Sequence, residues 1–204
     1  MKRLATPLLA LCAVAVAACA TTQMTNVWRS PNYQGAPNLR ILVLGVGPNP
    51  ANVKIWEDAM AKKLKSLDRQ PVTGYSVLPP GQMVDKAEIM TLVKQNKIDL
   101  VLVTRFVSQK TQVDYVPPTV TYVPPPTYYG FYPYYSYGYG VAYSPGYVTE
   151  TSVVFLETNA YSAADESLVW SGVSKTFDYS SVGDVASSVA SAVAQSLVQT
   201  GIIR

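Results

Sequence analysis

The regular alternation of strand-like and helix-like segments is the feature that most restricts the fold of this chain. Residues 40–47 form a short apolar run that ends in glycines, which is typical of a buried strand. Asn49 and Pro50 then supply an N-cap and a first helical residue. Apolar residues recur at helical spacing from there to Leu67, so a first helix is predicted directly after the first strand.

The next segments repeat this order. Residues 72–79 are interpreted as a second strand. Asp85 and Glu88 have the spacing of a capping box, which predicts a helix that ends near Asn96. Residues 98–116 are predicted to form a long third strand, with both faces covered in its apolar first half and one face in water in its alternating second half.

The C-terminal part of the chain adds a hairpin and a helix. Residues 149–163 and 168–177 are rich in β-forming residues and flank a turn, and residues 181–201 carry valines on one side and serines on the other.

Two right-handed crossovers place the first three strands in the order 2-1-3. We therefore expect one α/β (α+β) domain over residues 39–204, with a mixed five-stranded sheet (β-α-β-α-β-β-β-α) and helices on both faces. Six residues are expected to be covered in its core: Leu42, Val43, Trp56, Val101, Val103 and Trp170.

The N-terminal residues 1–18 have the layout of a lipoprotein signal peptide. Two cations precede an apolar run that is too short to span a membrane, and the run ends in "VAAC". This ending resembles the lipobox of bacterial lipoproteins. The resemblance implies cleavage before Cys19, a diacylglycerol thioether on that cysteine, and a further acyl group, such as palmitate, on the new amine. The alternative is a plain secreted protein in which Cys19 is incidental.

The residue after the cysteine bears on location. In such lipoproteins an Asp at this position usually retains the protein at the inner membrane, and this chain has Ala20 instead. We therefore expect an outer-membrane anchor, with the domain facing the periplasm. Residues 19–38 are interpreted as a lipidated tether and an arm, which Trp28 and Tyr33 pin to the domain.

Processing removes most of the reactive side chains. The chain contains no histidine, and of its 2 cysteines Cys12 leaves with the signal peptide while Cys19 carries lipid. Imidazole catalysis, thiol chemistry, disulfides and zinc sites are therefore excluded, and we expect no cofactor and no metal. Loss of Lys2 and Arg3 from the 16 basic residues lowers the net charge from +3 to +1, which gives no global attraction for nucleic acid.

A glycine-rich turn offers little for catalysis. Gly45 and Gly47 lie between a strand and a helix, as in phosphate-binding loops, but Pro48 and Pro50 remove backbone donors there. A tight turn is the preferred interpretation.

The carboxylates show no catalytic spacing, and no serine lies in a nucleophile elbow. The chain is therefore not expected to be an enzyme. The alternative is a cell-wall hydrolase or transferase that uses carboxylates, which would require two or more of them to converge in a concave pocket.

The order of elements, together with "NVWRSPNYQG" and "LETNAYSAADESLVWSG", resembles a group of bacterial envelope lipoproteins of unassigned function. The same pattern is similar to the α/β domain of the curli-secretion lipoprotein and of the amino-terminal part of the Tol-system translocation protein. The resemblance implies a non-catalytic binding or assembly module of the cell envelope. Its expected partners are the membrane, through the lipid anchor, and another envelope protein or peptidoglycan.

The most unusual segment is a Tyr/Pro/Gly-rich insertion, residues 116–148, between the third and fourth strands. Eleven of the 15 tyrosines lie between Tyr115 and Tyr147, and Asp114 is the only charge between Lys110 and Glu150. The prolines are expected to prevent a regular ladder, and the lack of cations argues against nucleic acid. Three interpretations stay open: a mobile loop, a contact surface for an envelope protein or glycan, and a patch in lipid headgroups. The candidate contact residues are Tyr128, Tyr129, Phe131, Tyr132, Tyr134, Tyr135, Tyr137, Tyr139 and Tyr143.

Overall fold

The computed structural model describes residues 20–78, 85–123 and 140–204, with side chains described for all of these except 122–123 and 140–142. The described elements are β1 (Thr21–Arg29), β2 (Arg40–Val46), α1 (Pro50–Lys65), β3 (Gln70–Thr73), α2 (Gly74–Val77), α3 (Lys86–Gln95), β4 (Leu100–Val116), β5 (Thr119–Val123), β6 (Gly140–Ser144), β7 (Tyr147–Ser162), β8 (Leu168–Phe177) and α4 (Val182–Gln199).

The main sheet is mixed and has six strands in the order β1-β8-β7-β4-β2-β3. β2 is parallel to both β3 and β4, and the other neighbours are antiparallel. The prediction of five strands is wrong, because Thr21–Arg29, interpreted as part of a tether and arm, forms the edge strand β1. Its sequence is mostly polar and lacks the apolar run that identifies buried strands, and Asn26 has a φ of 52° within an irregularity in its pairing with β8. β1 is therefore held by backbone pairing that leaves little hydrophobic signal.

A second correction concerns residues 72–79, which were expected to form one strand. The strand ends at Thr73, and the one-turn helix α2 follows at Gly74. A Cβ atom at Gly74 would lie 2.7 Å from Leu44 Cδ2 and 2.9 Å from Glu57 Oε1, so a larger residue here would displace these side chains. This close approach involves residues that are distant in the chain, so local propensity does not reveal it.

The larger core cluster lies between the sheet and the pair α1 and α4, which pack against each other. Alternate residues of β2 point to opposite faces: Ile41 and Val43 belong to this cluster, while Leu42 packs with Val93 of α3 in a second cluster. The domain is thus α+β, with four helices among the described residues.

Most of the expected core residues are buried. Leu42, Val43, Trp56 and Trp170 are enclosed, as predicted from the sequence. Val101 and Val103 are only half-buried, because they lie on the sheet face that α3 covers in part. Of the two residues expected to pin the N-terminal arm, Tyr33 packs against the larger core cluster, whereas Trp28 is 46% exposed.

Capping side chains mark the helix starts that the sequence indicated. Asn49 accepts a hydrogen bond from the backbone N–H of Ala51, and Asp85 accepts one from Glu88. Past the last residue of α4, Gly201 has a φ of 70°, which suits glycine after a helix. No helix among the described residues is long and apolar enough to cross a membrane.

The antiparallel pairing of β4 with β7 extends well beyond the rest of the sheet. It runs from Leu100, opposite Ser162, to Val116, opposite Tyr147, whereas β8 pairs with β7 only as far as Val154. We call residues 110–116 and 147–153 the β4–β7 ribbon. Past its end, β5 and β6 pair with each other over five residue pairs. The expectation that prolines prevent a regular ladder is therefore wrong for these two strands, because the prolines lie outside both.

Candidate functional site

The first described residue, Ala20, is fixed to the domain. Its carbonyl accepts a hydrogen bond from Ser188 Oγ of α4 at 2.8 Å. Thr22 Oγ1 donates to the same hydroxyl at 2.7 Å and lies 2.8 Å from Thr176 Oγ1. Cys19 lies outside the described residues, so its lipidation stays a prediction. Because Ala20 is bound directly to α4, a chain anchored through Cys19 would have almost no free tether.

The β4–β7 ribbon leaves the sheet at the same end as Ala20. Thr21 pairs with Phe177, and the registers place this level at Val153 of β7 and Lys110 of β4. β4 continues from there to Val116, which is about 20 Å farther at about 3.3 Å per residue. The ribbon therefore projects past the level at which the N-terminus joins the fold.

Large apolar side chains on the ribbon and on the β5–β6 ladder are turned to solvent. A two-stranded ladder is marginally stable by itself in water, and exposed apolar patches are typical of contact surfaces. A second surface that covered these side chains would stabilise the ladder. Six of them are between 57% and 66% exposed: Val113, Tyr115, Val120, Tyr143, Tyr147 and Val148.

The sequence identified only part of this surface. Of the nine candidate contact residues, Tyr143 is described and exposed. The other eight lie outside the described residues: Tyr128, Tyr129, Phe131, Tyr132, Tyr134, Tyr135, Tyr137 and Tyr139. The exposed Val113, Val120 and Val148 were missed, although Val120 and Val148 lie within residues 115–149, whose lack of charge could have indicated them.

An apolar pocket of about 210 Å³ lies at the base of the ribbon. Gly45 and Gly47 at the end of β2 form one wall, and Phe106 of β4 forms another. The first turns of α1 and α4 also line it, as do Trp56, Tyr179 and two residues of β7, Val154 and Leu156. No carboxylate and no cation is among the side chains that line it. A second concavity, beside β3, contains one carboxylate, Asp58.

Glu57 is the most buried carboxylate among the described residues, with 3% of its surface exposed. Its oxygens accept backbone hydrogen bonds from Gly45 at 2.9 Å and from Tyr75 at 3.0 Å. Burial raises the pKa of Glu57 above its ordinary value, although the hydrogen bonds from Gly45, Tyr75 and Gly74 act in the opposite direction. The neighbouring Asp58 is exposed and accepts a hydrogen bond from the Tyr75 hydroxyl. These two carboxylates therefore point apart.

A polar cluster lies on the opposite sheet face. Hydrogen bonds from Asn159 and Arg105 lower the pKa of Glu157 below its ordinary value. Arg105 is largely exposed, so this ion pair contributes little to stability. Within residues 20–78, 85–123 and 140–204, no three Asp, Glu, His or Cys residues are grouped so that they could hold a metal ion.

No protein-family model and no curated protein matches the chain. Among solved structures, the chain is similar to the PelC dodecamer from Paraburkholderia phytofirmans, with 13% identity over 85% of this chain and 94% of that one and a TM-score of 0.45. It is also similar to lipoprotein GNA1162 from Neisseria meningitidis, with 15% identity over 79% of this chain and 99% of that one and a TM-score of 0.42. A PDZ domain protein from Parabacteroides distasonis matches at 12% identity over 89% of this chain and 37% of that one, with a TM-score of 0.31. Similarity at this level assigns no function to the chain.

Proposed function

We propose that the mature chain is a lipoprotein, anchored through Cys19 in the outer membrane and facing the periplasm, that acts as a non-catalytic binding module of the cell envelope. Its contact surface is the β4–β7 ribbon with the β5–β6 ladder. The observation that carries the proposal is the projection of this ribbon from the end of the fold that bears Ala20, with large apolar side chains exposed along it.

The chemistry of the surface favours a protein partner. Tyrosine offers a large apolar ring with a polar tip and loses little side-chain entropy when it is covered, and valine is rigid already. Peptidoglycan presents hydroxyl and amide groups, which exposed valines do not satisfy. Because the ribbon projects on the anchor side, the partner is expected at the membrane surface.

Site-specific photo-crosslinking in intact cells tests this proposal. A photoreactive phenylalanine analogue replaces Val113 or Tyr147 on the ribbon. In a matched control it replaces Val198, which is also exposed but lies near the opposite end of α4. We expect the two ribbon positions to capture the same protein and the control position to capture none.

A charge substitution establishes that the capture is specific. Val113→Asp, combined with the photoreactive group at Tyr147, should abolish capture and leave thermal unfolding unchanged, because Val113 is exposed. Capture of lipid alone would support the headgroup interpretation instead. Equal capture from Val198 would reject the ribbon as the contact surface.

The hydrolase or transferase alternative needs a different observation. It predicts that the purified chain releases or rearranges fragments of isolated peptidoglycan and that a carboxylate substitution stops this. Neither described cavity contains two carboxylates.

A further inference from the structure

The pocket at the base of the ribbon lies where open α/β sheets bind ligands. β2 and β4 are parallel neighbours, and the pocket lies at the carboxyl end of β2, where its pairing with β4 ends at Arg105 while β4 itself continues to Val116. α1 follows β2 on one face of the sheet, and α3 precedes β4 on the other. The volume of about 210 Å³ exceeds the roughly 150 Å³ in which an apolar cavity holds benzene. A short run of methylene groups with a carbonyl therefore fits.

Two polar groups in the pocket wall lack hydrogen-bond partners. The Nε1 atom of Trp56 and the hydroxyl of Tyr179 are both enclosed and bond to no described atom. Trp56 is only 7% exposed. Buried donors are paired in most proteins, because an unpaired one loses the hydrogen bonds that it makes with water in the unfolded chain. Both side chains line the same pocket, so a ligand in it is placed to supply the acceptor that these donors lack.

The wall chemistry restricts the class of ligand. No side chain in the lining is charged, so nothing there balances a carboxylate or an ammonium group. At the start of α1, the Asn49 side chain already accepts from the N–H groups of Ala51 and Asn52, and Pro48 has no backbone donor. Thr104 Oγ1 is paired with Thr158 Oγ1 at 2.9 Å. The pocket therefore suits an uncharged apolar group that carries one or two acceptors.

The position of the pocket indicates the source of this group. Tyr179 and the first turn of α4 line the pocket, and Ala20 is bound to Ser188 in the next turn of the same helix. With Cys19 anchored as proposed, the pocket lies on the membrane side of the domain. We infer that it binds the upper part of a glycerolipid acyl chain, with the ester carbonyl accepting hydrogen bonds from Trp56 and Tyr179. This assignment of the ligand rests on the proposed anchor; the pocket does not depend on it.

Binding is tested with the full mature chain carrying Cys19→Ser, which stays in solution. The probe is dihexanoyl phosphatidylcholine below its critical micelle concentration, and its diether analogue, which lacks both carbonyls, is the matched control. The chain has 3 tryptophans, so their indole N–H signals in a proton–nitrogen correlation spectrum report on three places. We expect a saturable shift of the Trp56 signal, with Trp28 and Trp170 unchanged. Trp170 is the better internal control, because its Nε1 is also buried and unpaired.

Variants separate the hydrogen bonds from the volume of the pocket. Tyr179→Phe removes one donor and keeps the ring, and the diether removes the acceptor. Each should weaken binding about tenfold, as loss of a buried hydrogen bond of about 1.4 kcal/mol predicts. Ala186→Leu fills the pocket and should abolish binding, whereas Val198→Leu, on the same helix outside the pocket, should not change it.

Three results would overturn the inference: no saturable binding, equal shifts at all three indoles, or equal affinity for the diester and the diether. Should Ala186→Leu fail to fold, Tyr179→Phe and the diether still decide the question. The measurement needs neither the lipid anchor nor the ribbon. An absence of probe binding would therefore reject the pocket without deciding the proposed contact function. A chain lacking residues 118–146 should bind the probe unchanged.

Discussion

The buried carboxylate of Glu57 accepts a hydrogen bond from the backbone N–H of Gly45 at 2.9 Å. Its second oxygen accepts one from Tyr75 at 3.0 Å, so one side chain of α1 holds both the end of β2 and the start of α2. A Cβ atom at Gly45 would lie 2.9 Å from Val53 Cγ1 and 3.1 Å from Trp56 Cδ1. Glu57 and Gly45 together bring the helix close to the strand end and shape one wall of the pocket.

The first prediction is that Glu57→Gln destabilises the domain by about 1–3 kcal/mol. A carboxyl group, ionised or protonated, has acceptor lone pairs on both oxygens, whereas the amide nitrogen of glutamine has none and leaves one of the two backbone N–H groups unpaired. Chemical denaturation measures the effect. Asp58→Asn is the control, since this neighbour is exposed and its change should stay within about 0.5 kcal/mol. Equal effects of the two variants would show that the backbone contacts of Glu57 are unimportant.

The second prediction concerns pH. Because burial raises the pKa of Glu57 in the folded chain, the folded state holds this proton more tightly than the unfolded state. The contribution of Glu57 to stability is then fully present below its unfolded pKa and is lost as the pH rises through its folded pKa.

The difference in unfolding free energy between wild type and Glu57→Gln isolates this contribution. Other carboxylates shift the opposite way: the lowered pKa of Glu157 gives stability that is lost as the pH falls. We expect the difference to be largest at acid pH and to shrink toward neutral pH. A difference that grows with pH would mean that the hydrogen bonds outweigh burial at Glu57.

The sequence predicts the parts of this fold in which local pattern and burial agree. β2, α1 and β8 carry periodic apolar residues with turn or capping residues at their ends, and the structure has them where the pattern indicates. β1 was not predicted, because hydroxyl hydrogen bonds such as that of Thr22 and backbone pairing to β8 hold it. These interactions need no apolar periodicity in the sequence. β3 ends before Gly74, which lies against Leu44 and Glu57, two residues far from it in the chain. No local sequence pattern reveals this contact.

The candidate site was predictable in composition and not in shape. The uncharged run of residues 115–149 left a contact surface open as one of three interpretations, and Tyr143, the one candidate contact residue that the structure describes, is exposed. The length of the ribbon depends on the register of β4 with β7. The sequence alone does not determine this register. The pocket joins residues from β2, β4 and two helices with Tyr179, which precedes α4. The unpaired polar groups of Trp56 and Tyr179 can be recognised only in the folded chain.

The third prediction tests the core. Trp56→Ala should cost about 3–5 kcal/mol, because the indole packs in the larger core cluster and its removal leaves a cavity. Thermal or denaturant unfolding measures the loss. Trp28→Ala is the matched control: the same side chain is 46% exposed there, and a much smaller effect is expected. Comparable losses at both positions would contradict the burial described for α1.

The fourth prediction concerns the anchor. Replacing Cys19 with serine removes the thiol that would carry the diacylglycerol group, so the chain should no longer fractionate with membranes. Three acyl chains give stable anchoring, whereas one gives only marginal binding. Metabolic labelling with a palmitate analogue should be lost as well. An unchanged, labelled and membrane-bound Cys19→Ser chain would reject the lipoprotein hypothesis. The control is Cys12→Ser, within the predicted signal peptide, which should leave labelling and fractionation unchanged.

The last prediction concerns the insertion. Replacing residues 118–146 with a short Gly-Ser link removes the β5–β6 ladder, which is a sheet of its own, and leaves the β4–β7 pairing closed between Val116 and Tyr147. Loop closure changes by only about 0.6 kcal/mol per halving of length, so the melting transition should be nearly unchanged. Capture of the partner at the ribbon should fall.

A Gly-Ser replacement of full length is the control, because it keeps the length and removes the tyrosines. If loss of capture follows the tyrosines, the full-length replacement loses it too; if it follows the length, that replacement restores it. Unfolding of either variant at ambient temperature would mean that these residues support the core, since neither change removes a side chain from the buried clusters.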